Sequence, residues 1–495
     1  MSSKEFEVGF GVDAVLSPRS IAVIGVSGDP AKRKVTGGTG VLNNLIRYGY
    51  SGRLYPVNPK YESILGQKCY PSIDEVPEPV DLVVVSVPAE QVPAVLESCG
   101  KRGCRAAVII SSGFAEVGTP QGEDLQRRLV EIAGTYGIRV LGPNNLGAYN
   151  TFDGIVASTS TLLFYYSDLP IGGIAWVSQS GALCSTLYGR AMEQNVGVGY
   201  VVTSGNECDL QAADFIWRFL DDPRVHVVGA YIEGIRDWNK FEAAAQKAWQ
   251  VGKPLIVYKA GTTPYGAAAV RAHTSSEAGN IQNYRAAFKR LGVLSVETLD
   301  ELYQTAQLLE QWRDFPDIKS VAVMTISGGE GGILVDGLVE RGIPMAQLRQ
   351  ETVGKIADVI PMFGSAANPI DVTAHMMREP EKLRQVGEIL EEADEVDAII
   401  YAPTTVAAEN AMKVAQDFAS LIKTSRKPCV IHWYSNEINE DAVRYLRREG
   451  IPVFTDYGAF FRAMERRQQF FTYQNLGKNI QQEEFGTCQR HCEKR

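Results

Sequence analysis

The sequence predicts an α/β protein of three domains, a Rossmann-like doubly wound domain followed by two flavodoxin-like domains of one ancestry. Three observations carry this. At 495 residues the chain is too long for a single hydrophobic core. Short, apolar, β-branched runs alternate with helical patterns from the N-terminal region onward. And one strand-to-helix stretch, Ile174-Ala-Trp-Val-Ser-Gln-Ser-Gly-Ala-Leu183, returns as Val321-Ala-Val-Met-Thr-Ile-Ser-Gly-Gly-Glu330.

In the first domain, 12–148, the strand candidates are Ser20–Gly25, Arg53–Asn58, Asp81–Val87, Ala106–Ser111 and Ile138–Leu141. Amphipathic stretches such as Val41–Tyr48 and Val92–Gly100 lie between them. Strands that are apolar on both faces and separated by helices belong to a parallel sheet covered on both sides. Open sheets of this kind bind ligands at the carboxyl ends of their strands. All five candidate ends carry turn residues: Gly25-Val26-Ser27-Gly28, Val57-Asn-Pro-Lys60, Val87-Pro88, Ser111-Ser112-Gly113 and Gly142-Pro143-Asn144-Asn145-Leu146-Gly147. Gly25 allows a tight turn, the amides and hydroxyl that follow suit a phosphate at a helix N-terminus, and Lys60 adds a cation. There is no G-x-G-x-x-G fingerprint and no P-loop, which points away from NAD and toward another nucleotide-bearing ligand.

The second and third domains are expected at 149–312 and 318–475, with a polar tail at 476–495. Two further pairs of segments support the repeat: Gly252–Val257 with Arg426–Ile431, and Leu291–Val296 with Glu449–Phe454. From Pro254 to Gly292 the first copy runs 38 positions, and from Pro428 to Gly450 the second runs 22, so the first carries 16 extra residues. His273, one of five histidines, falls in that insert. It reads as sitting in a mobile loop of small residues (Ala267-Ala-Ala-Val-Arg-Ala-His273-Thr), where an imidazole can take up a group and hand it on. Glu233, closing the apolar run Val227–Ile232, can accept the second ring N–H of a histidine and fix its tautomer. Ser178-Gln-Ser180-Gly181 and Ser327-Gly-Gly329-Glu330-Gly331-Gly each open a helix with small residues, leaving amide donors for a phosphoryl group, and the two could face one another across a phosphohistidine. Glu330 is awkward there. It must point away or cap its own helix. His226, His375 and His432 show no setting like that of His273.

Composition is that of an ordinary soluble protein, 45% hydrophobic and 22% charged. A net charge of −9 without long basic runs argues against a nucleic-acid partner. No apolar run reaches the roughly 18–20 residues of a membrane span, and the polar N-terminus lacks a signal-peptide core. Eight scattered cysteines suit reduced thiols and a cytoplasmic setting. Cys488, His491 and Cys492 cluster in a tail that reads as unstructured, but their spacing fits no common zinc pattern, so no metal site is expected.

Together these residues resemble the α subunit of the NDP-forming acyl-CoA synthetases, the superfamily of ADP-forming acetyl-CoA synthetase and succinyl-CoA synthetase. The likeness runs from about Leu16 to Tyr473 and rests on Gly142–Gly147, Ser178–Leu183, Ser204-Gly-Asn-Glu207, His273-Thr274 and Ala278-Gly279. It implies that the first domain binds CoA and that the other two are succinyl-CoA synthetase-like. It implies that His273 is transiently phosphorylated and stabilised by Glu233, with Ser180, Gly181, Gly329 and Gly331 holding phosphate. It also implies a separate ATP-grasp β subunit, as in an α2β2 heteromer, bringing ATP or ADP and Mg²⁺. The chain departs from the family pattern at Ala272, Ser275 and Glu277 around the histidine, at Asn145 where a cysteine is usual, and at Glu330 where proline is common. Two other readings stay open: a CoA or acyl-CoA binding module without catalysis, and an NAD(P)-linked dehydrogenase. Against the latter stand the missing fingerprint and Asn58 where an acid should end the second strand.

Overall fold

The computed structural model describes residues 9, 11–28, 37–274, 281–315, 318–434 and 436–492; the side chains of 271–274, 377, 380 and 476–492 lie outside that description. The first sheet is built from β1 (Ser20–Ile24), β2 (Arg53–Val57), β5 (Leu82–Val85), β6 (Ala106–Ile109) and β7 (Arg139–Leu141), with a small hairpin of β3 (Ser63–Ile64) and β4 (Gln67–Lys68) beside it. Its helices are α1 (Asp13–Leu16), α2 (Gly38–Arg47), α3 (Val92–Lys101) and α4 (Pro120–Tyr136). The five main strands are parallel in the order β2-β1-β5-β6-β7. Strands β1, β5 and β6 are buried along their whole length, as a sheet covered on both faces requires.

The second sheet contains β8 (Gly147–Asn150), β9 (Ile155–Ser158), β10 (Ile174–Ser178), β11 (Val198–Thr203), β12 (Val227–Ile232), β13 (Leu255–Lys259) and β14 (Leu294–Val296). Helices α5 (Gly181–Glu193), α6 (Ala212–Asp221), α7 (Trp238–Gln250), α8 (Pro264–Thr274), α9 (Ile281–Arg290) and α10 (Leu299–Gln311) connect or follow these strands. The order is β14-β13-β12-β10-β11-β8-β9, with β8 and β9 antiparallel at one edge. The third sheet holds β15 (Val321–Thr325), β16 (Ile370–Asp371), β17 (Ala398–Ala402), β18 (Cys429–His432) and β19 (Val453–Phe454) in the order β16-β15-β17-β18-β19. Helices α11 (Gly328–Val339), α12 (Gln350–Ala357), α13 (Pro380–Glu392), α14 (Ala408–Thr424), α15 (Glu440–Arg448) and α16 (Tyr457–Cys492) complete it. The first two sheets form one compact unit and the third belongs to a second, the change falling inside α10 after Leu302.

The repeat is physical. Leaving out β8 and β9, the second and third sheets have the same order, with β10 matching β15 and β13 matching β18. The Ser178 hydroxyl accepts the Ser180 amide (3.1 Å) and donates to its carbonyl (2.7 Å). The Thr325 hydroxyl does the same for Ser327, at 3.1 and 3.2 Å. Lys253 donates to the Leu220 and Asp222 carbonyls at the end of α6, and its counterpart Lys427 donates to the Leu390 and Ala393 carbonyls at the end of α13. Each lysine satisfies carbonyls that a helix terminus leaves without intrahelical partners.

Two expectations are corrected. The stretch bearing His273 is not a loop: Pro264 to Thr274 forms α8, with proline in the first helical position and an alanine triplet behind it. The C-terminal segment is not unstructured either, because α16 continues through Cys492. Its polar residues are good helix formers, and propensity prevailed where an apolar period was lacking.

Candidate functional site

In the first unit the carboxyl ends of β10, β12 and β13 converge. Thr203 and Ser204 close β11 beside them, with the Ser204 amide donating to the Ser178 carbonyl. At the start of α5 the Ser180 hydroxyl accepts the Leu183 amide (3.5 Å) and the Ser180 carbonyl accepts that of Cys184. The Gly181 and Ala182 amides, first in the helix, have no acceptor among the described residues. A Cβ on Gly181 would lie 2.7 Å from Leu146, so only glycine lets the Gly142–Gly147 turn approach this closely.

Glu233 follows β12 and is 4% exposed. Its backbone is clamped from two sides. The Gln179 side chain accepts the Glu233 and Gly234 amides (2.5 and 3.0 Å) and donates to the Gly234 carbonyl (2.7 Å). From β13, Lys259 donates to the Glu233 and Ala260 carbonyls (2.7 and 2.5 Å), its ammonium 4.6 Å from the centroid of the Tyr284 ring. Burial pushes the Lys259 ammonium down to about 8, with Glu233 opposing that shift. Burial, then Glu233, pushes the Tyr231 hydroxyl up. Glu207 is a second buried carboxyl, raised by burial; it accepts the Ser204 hydroxyl and the Ala212 amide at the start of α6 (both 2.8 Å). Sequence reasoning singled out Glu233 but missed Gln179 and Lys259, although a lysine closing an apolar run was the available signal.

Helix α8 lies over this edge. Val270 is buried with Tyr231 and Ala260, and Leu183, Tyr258 and Ala267 pack on that cluster. Val270 thus touches the neighbourhoods of both Glu233 and the α5 start, and His273 follows three positions later in the same helix. The imidazole of His273 lies outside the described side chains, and Ala278 and Gly279 lie outside the described residues. Helix α8 also contacts the Ala115–Val117 turn of the first sheet.

At the first sheet's edge Gly25 has φ +93°, and a Cβ there would lie 2.1 Å from the Ser86 carbonyl oxygen. Val26 is buried, and its carbonyl accepts the Asn58 side-chain amide (2.6 Å). The Ser27 amide donates to the Thr39 hydroxyl (2.7 Å), so it is already engaged. Residues 29–36, where the helix start after this turn was expected, lie outside the described residues; α2 begins at Gly38, where a Cβ would sit 3.1 Å from Gly25. A Cβ on Gly28 would meet the Tyr61 ring at 2.7 Å. Lys60 and Pro88 are exposed, Val87 half-buried. Ser111 donates to the Val87 carbonyl (2.5 Å), Ser112 is exposed, and the Gly113 amide is held by Glu116 (2.6 Å). The Asn144 side chain donates to Asn206 (3.3 Å), which donates to Glu116 (2.5 Å). This chain joins the first sheet's edge to the Ser204–Glu207 turn of the second. Asn145, at the family's cysteine position, is structural: it donates to the Ile109 carbonyl (2.8 Å) and accepts the Gly147 amide (2.7 Å).

In the second unit, Gly329 lies in the first turn of α11. The Gly331 amide is committed to the Ser327 carbonyl, and Gly331 packs closely on Thr325 and Pro369. Gly328, Gly329 and Glu330 provide the amides without an acceptor among the described residues. Glu330 points inward, and its carboxylate meets Nδ1 of His432 at 3.1 Å, both groups buried. That corrects the expectation that His432 lacks a histidine–carboxylate setting. Among the described residues no group of three or more His, Cys, Asp or Glu is arranged to hold a metal ion, and no helix is long and apolar enough to cross a membrane.

Comparison with known proteins follows the same division. A CoA binding domain model matches residues 19–151, a succinyl-CoA ligase like flavodoxin domain 171–309, and a ligase-CoA domain 321–461. The chain is 35% identical to subunit alpha of acetate–CoA ligase [ADP-forming] I of Pyrococcus furiosus, covering 90% of this chain and 94% of that one. It is also 35% identical to acetate–CoA ligase [ADP-forming] I of Archaeoglobus fulgidus, over 90% of this chain but 62% of the relative's length. The solved dinucleotide forming acetyl-coenzyme A synthetase 1 of Ca. Korarchaeum cryptofilum, in complex with phosphate and ADP, superposes with a TM-score of 0.84 at 32% identity, covering 94% of this chain and 97% of that one. Three domains of these kinds in this order define the class, the succinyl-CoA ligase superfamily. Within it, the chain belongs to the family of ADP-forming acyl-CoA synthetase α chains.

Proposed function

We propose that this protein is the α chain of an NDP-forming acyl-CoA synthetase, interconverting acyl-CoA, phosphate and ADP with carboxylic acid, CoA and ATP. A phosphate oxygen attacks the thioester carbonyl, and CoA leaves as its thiol(ate), giving an acyl phosphate. An imidazole nitrogen of His273 then attacks phosphorus, and the carboxylate leaves. ADP finally takes the phosphoryl group from His273 to make ATP. Splitting the reaction this way keeps the thioester's energy in a phosphoramidate. The observation that carries this reading is the insert peculiar to the first copy, which lays α8 across Tyr231 and Leu183, between the clamped Glu233 and the open amides of Gly181 and Ala182.

In this reading Glu233 orients the His273 ring and stabilises its charge, while Ser180, Gly181, Gly329 and Gly331 belong to turns that hold phosphate. CoA lies along the first sheet's edge, on Gly25, Val26, Ser27, Gly28, Lys60, Val87, Pro88, Ser111, Ser112, Gly113 and Asn144. A separate ATP-grasp β chain supplies nucleotide and Mg²⁺. The unpaired thiols of the six described cysteines support a cytoplasmic setting. The test incubates the chain with an acyl-CoA, ADP, Mg²⁺ and ³²P-phosphate, alone and with a candidate ATP-grasp β chain. Label is expected on His273 and in ATP only with the partner, and neither in His273→Asn. ATP made by the lone chain, or label retained in His273→Asn, overturns the proposal.

A further inference from the structure

Ser327-Gly328-Gly329-Glu330 has the spacing of a capping box, in which the serine side chain accepts the amide of the glutamate and the glutamate side chain that of the serine. The structure withholds both. The Ser327 side chain makes no cap hydrogen bond, and its amide is held by the Thr325 hydroxyl instead (3.1 Å). Glu330 is 4% exposed and turned into the protein, onto Nδ1 of His432 at the end of β18. His432 is completely buried, with the ring of Tyr457 at 4.3 Å and that of Phe460 at 5.3 Å, so the imidazole has little room to follow Glu330 outward.

We infer that His432 is a positioning residue for phosphate: by holding Glu330 inside, it keeps a carboxylate charge away from an anion on the open amides of Gly328 and Gly329 at the α11 N-terminus. This rests on the reading that α11 is a phosphate-holding turn. Without the imidazole, the Glu330 carboxylate returns to the cap its spacing favours. There, at the Ser327 amide, it places a like charge beside the anion. Two consequences follow that mere support of the fold would not produce. Loss of His432 harms phosphate binding through Glu330, and removal of Glu330's charge repairs the damage.

The experiment compares wild type, His432→Gln, Glu330→Gln and the double variant as full chains with the β chain. It measures KM for phosphate, kcat, and broadening of the inorganic phosphate ³¹P signal by the α chain alone. In His432→Gln the KM for phosphate is expected to rise about tenfold with kcat nearly unchanged, the size expected for one carboxylate charge within a helical turn of the anion in partly hydrated surroundings. Glu330→Gln is expected to stay near wild type, and the double variant to return to within about threefold of it. A folded His432→Gln with wild-type phosphate KM overturns the inference while leaving His273 labelling, and so the proposed function, intact. So does a double variant no better than His432→Gln. If His432→Gln fails to fold, the double variant and Glu330→Gln still decide it, since either one binding phosphate tenfold more weakly contradicts the inference. A wild-type chain that neither labels His273 nor broadens the phosphate signal overturns both.

Discussion

Lys259 gives the sharpest physical prediction. The residue is 4% exposed, and its ammonium is bonded to two backbone carbonyls and pushed from an ordinary value near 10.5 to about 8 by burial. The unfolded chain keeps this proton to higher pH than the folded chain. Between pH 8 and 10.5 it therefore binds more protons, and stability must rise with pH through that window. The whole shift is worth about 3 kcal/mol, of which about 1 kcal/mol is recovered between pH 7 and 9. Lys259→Met keeps the stem and removes the titration. Urea unfolding of wild type and variant at pH 7, 8 and 9, followed by pulse-labelling hydrogen exchange of β12 and β13 peptides, isolates the effect, because groups common to both cancel in the difference. The wild type is expected to gain about 1 kcal/mol on the variant from pH 7 to 9. A wild type that gains nothing on the variant between pH 7 and 9, or loses ground to it, would refute a desolvated ammonium at this position. The same variant frees the Glu233 carbonyl, so phosphorylation of His273 is expected to slow even where stability is matched.

Other consequences are as specific. Gln179→Ala removes three hydrogen bonds to Glu233 and Gly234 and should lower local stability by about 3 kcal/mol and slow His273 labelling at least about tenfold, read by quenched-flow ³²P transfer. Gly25→Ala puts a Cβ 2.1 Å from the Ser86 oxygen at φ +93°, and should destabilise the chain by about 3 kcal/mol and weaken CoA retention in calorimetry. Lys427→Met uncaps the end of α13 and is expected to lower stability by about 2 kcal/mol while leaving the KM for phosphate unchanged.

Much of this architecture was legible because it depends on local pattern. The runs Ile21–Ile24 and Ala106–Ile109 are apolar at every position, which a doubly covered parallel strand demands, and their ends were marked by glycine, proline and serine. The repeat was legible from three matched segments. Less legible was α8. The run of small residues around His273 suggested a loop, although Pro264 and the alanines after it are good helix-starting residues. The Gln179 clamp joins residues 54 and 55 positions apart, and Glu330 finds its partner 102 positions away. No local spacing encodes either contact, since both arise only when parallel strands bring their carboxyl ends together.

The two flavodoxin-like copies show how one frame came to carry unlike edges. In the matched segments Leu183 corresponds to Glu330, and Tyr258, one position past its segment, to His432. In the first copy Leu183 and Tyr258 form an apolar floor with Tyr231, and the inserted α8 lands on it through Val270. In the second copy no inserted helix is found there among the described residues, and the same two positions hold a carboxylate and an imidazole under the Tyr457 and Phe460 rings of α16. An apolar floor gives an added helix area to bury but no direction. A polar pair fixes the direction of a side chain and leaves nothing apolar to cover. The first arrangement therefore suits a turn that must receive the histidine helix, and the second a turn that must keep its own amides clear. Exchanging the pairs tests the division of labour: Leu183→Glu with Tyr258→His should loosen α8, seen as faster hydrogen exchange across 264–274, with the third sheet unaffected. Unchanged protection of α8 would show that the apolar floor is not what seats it.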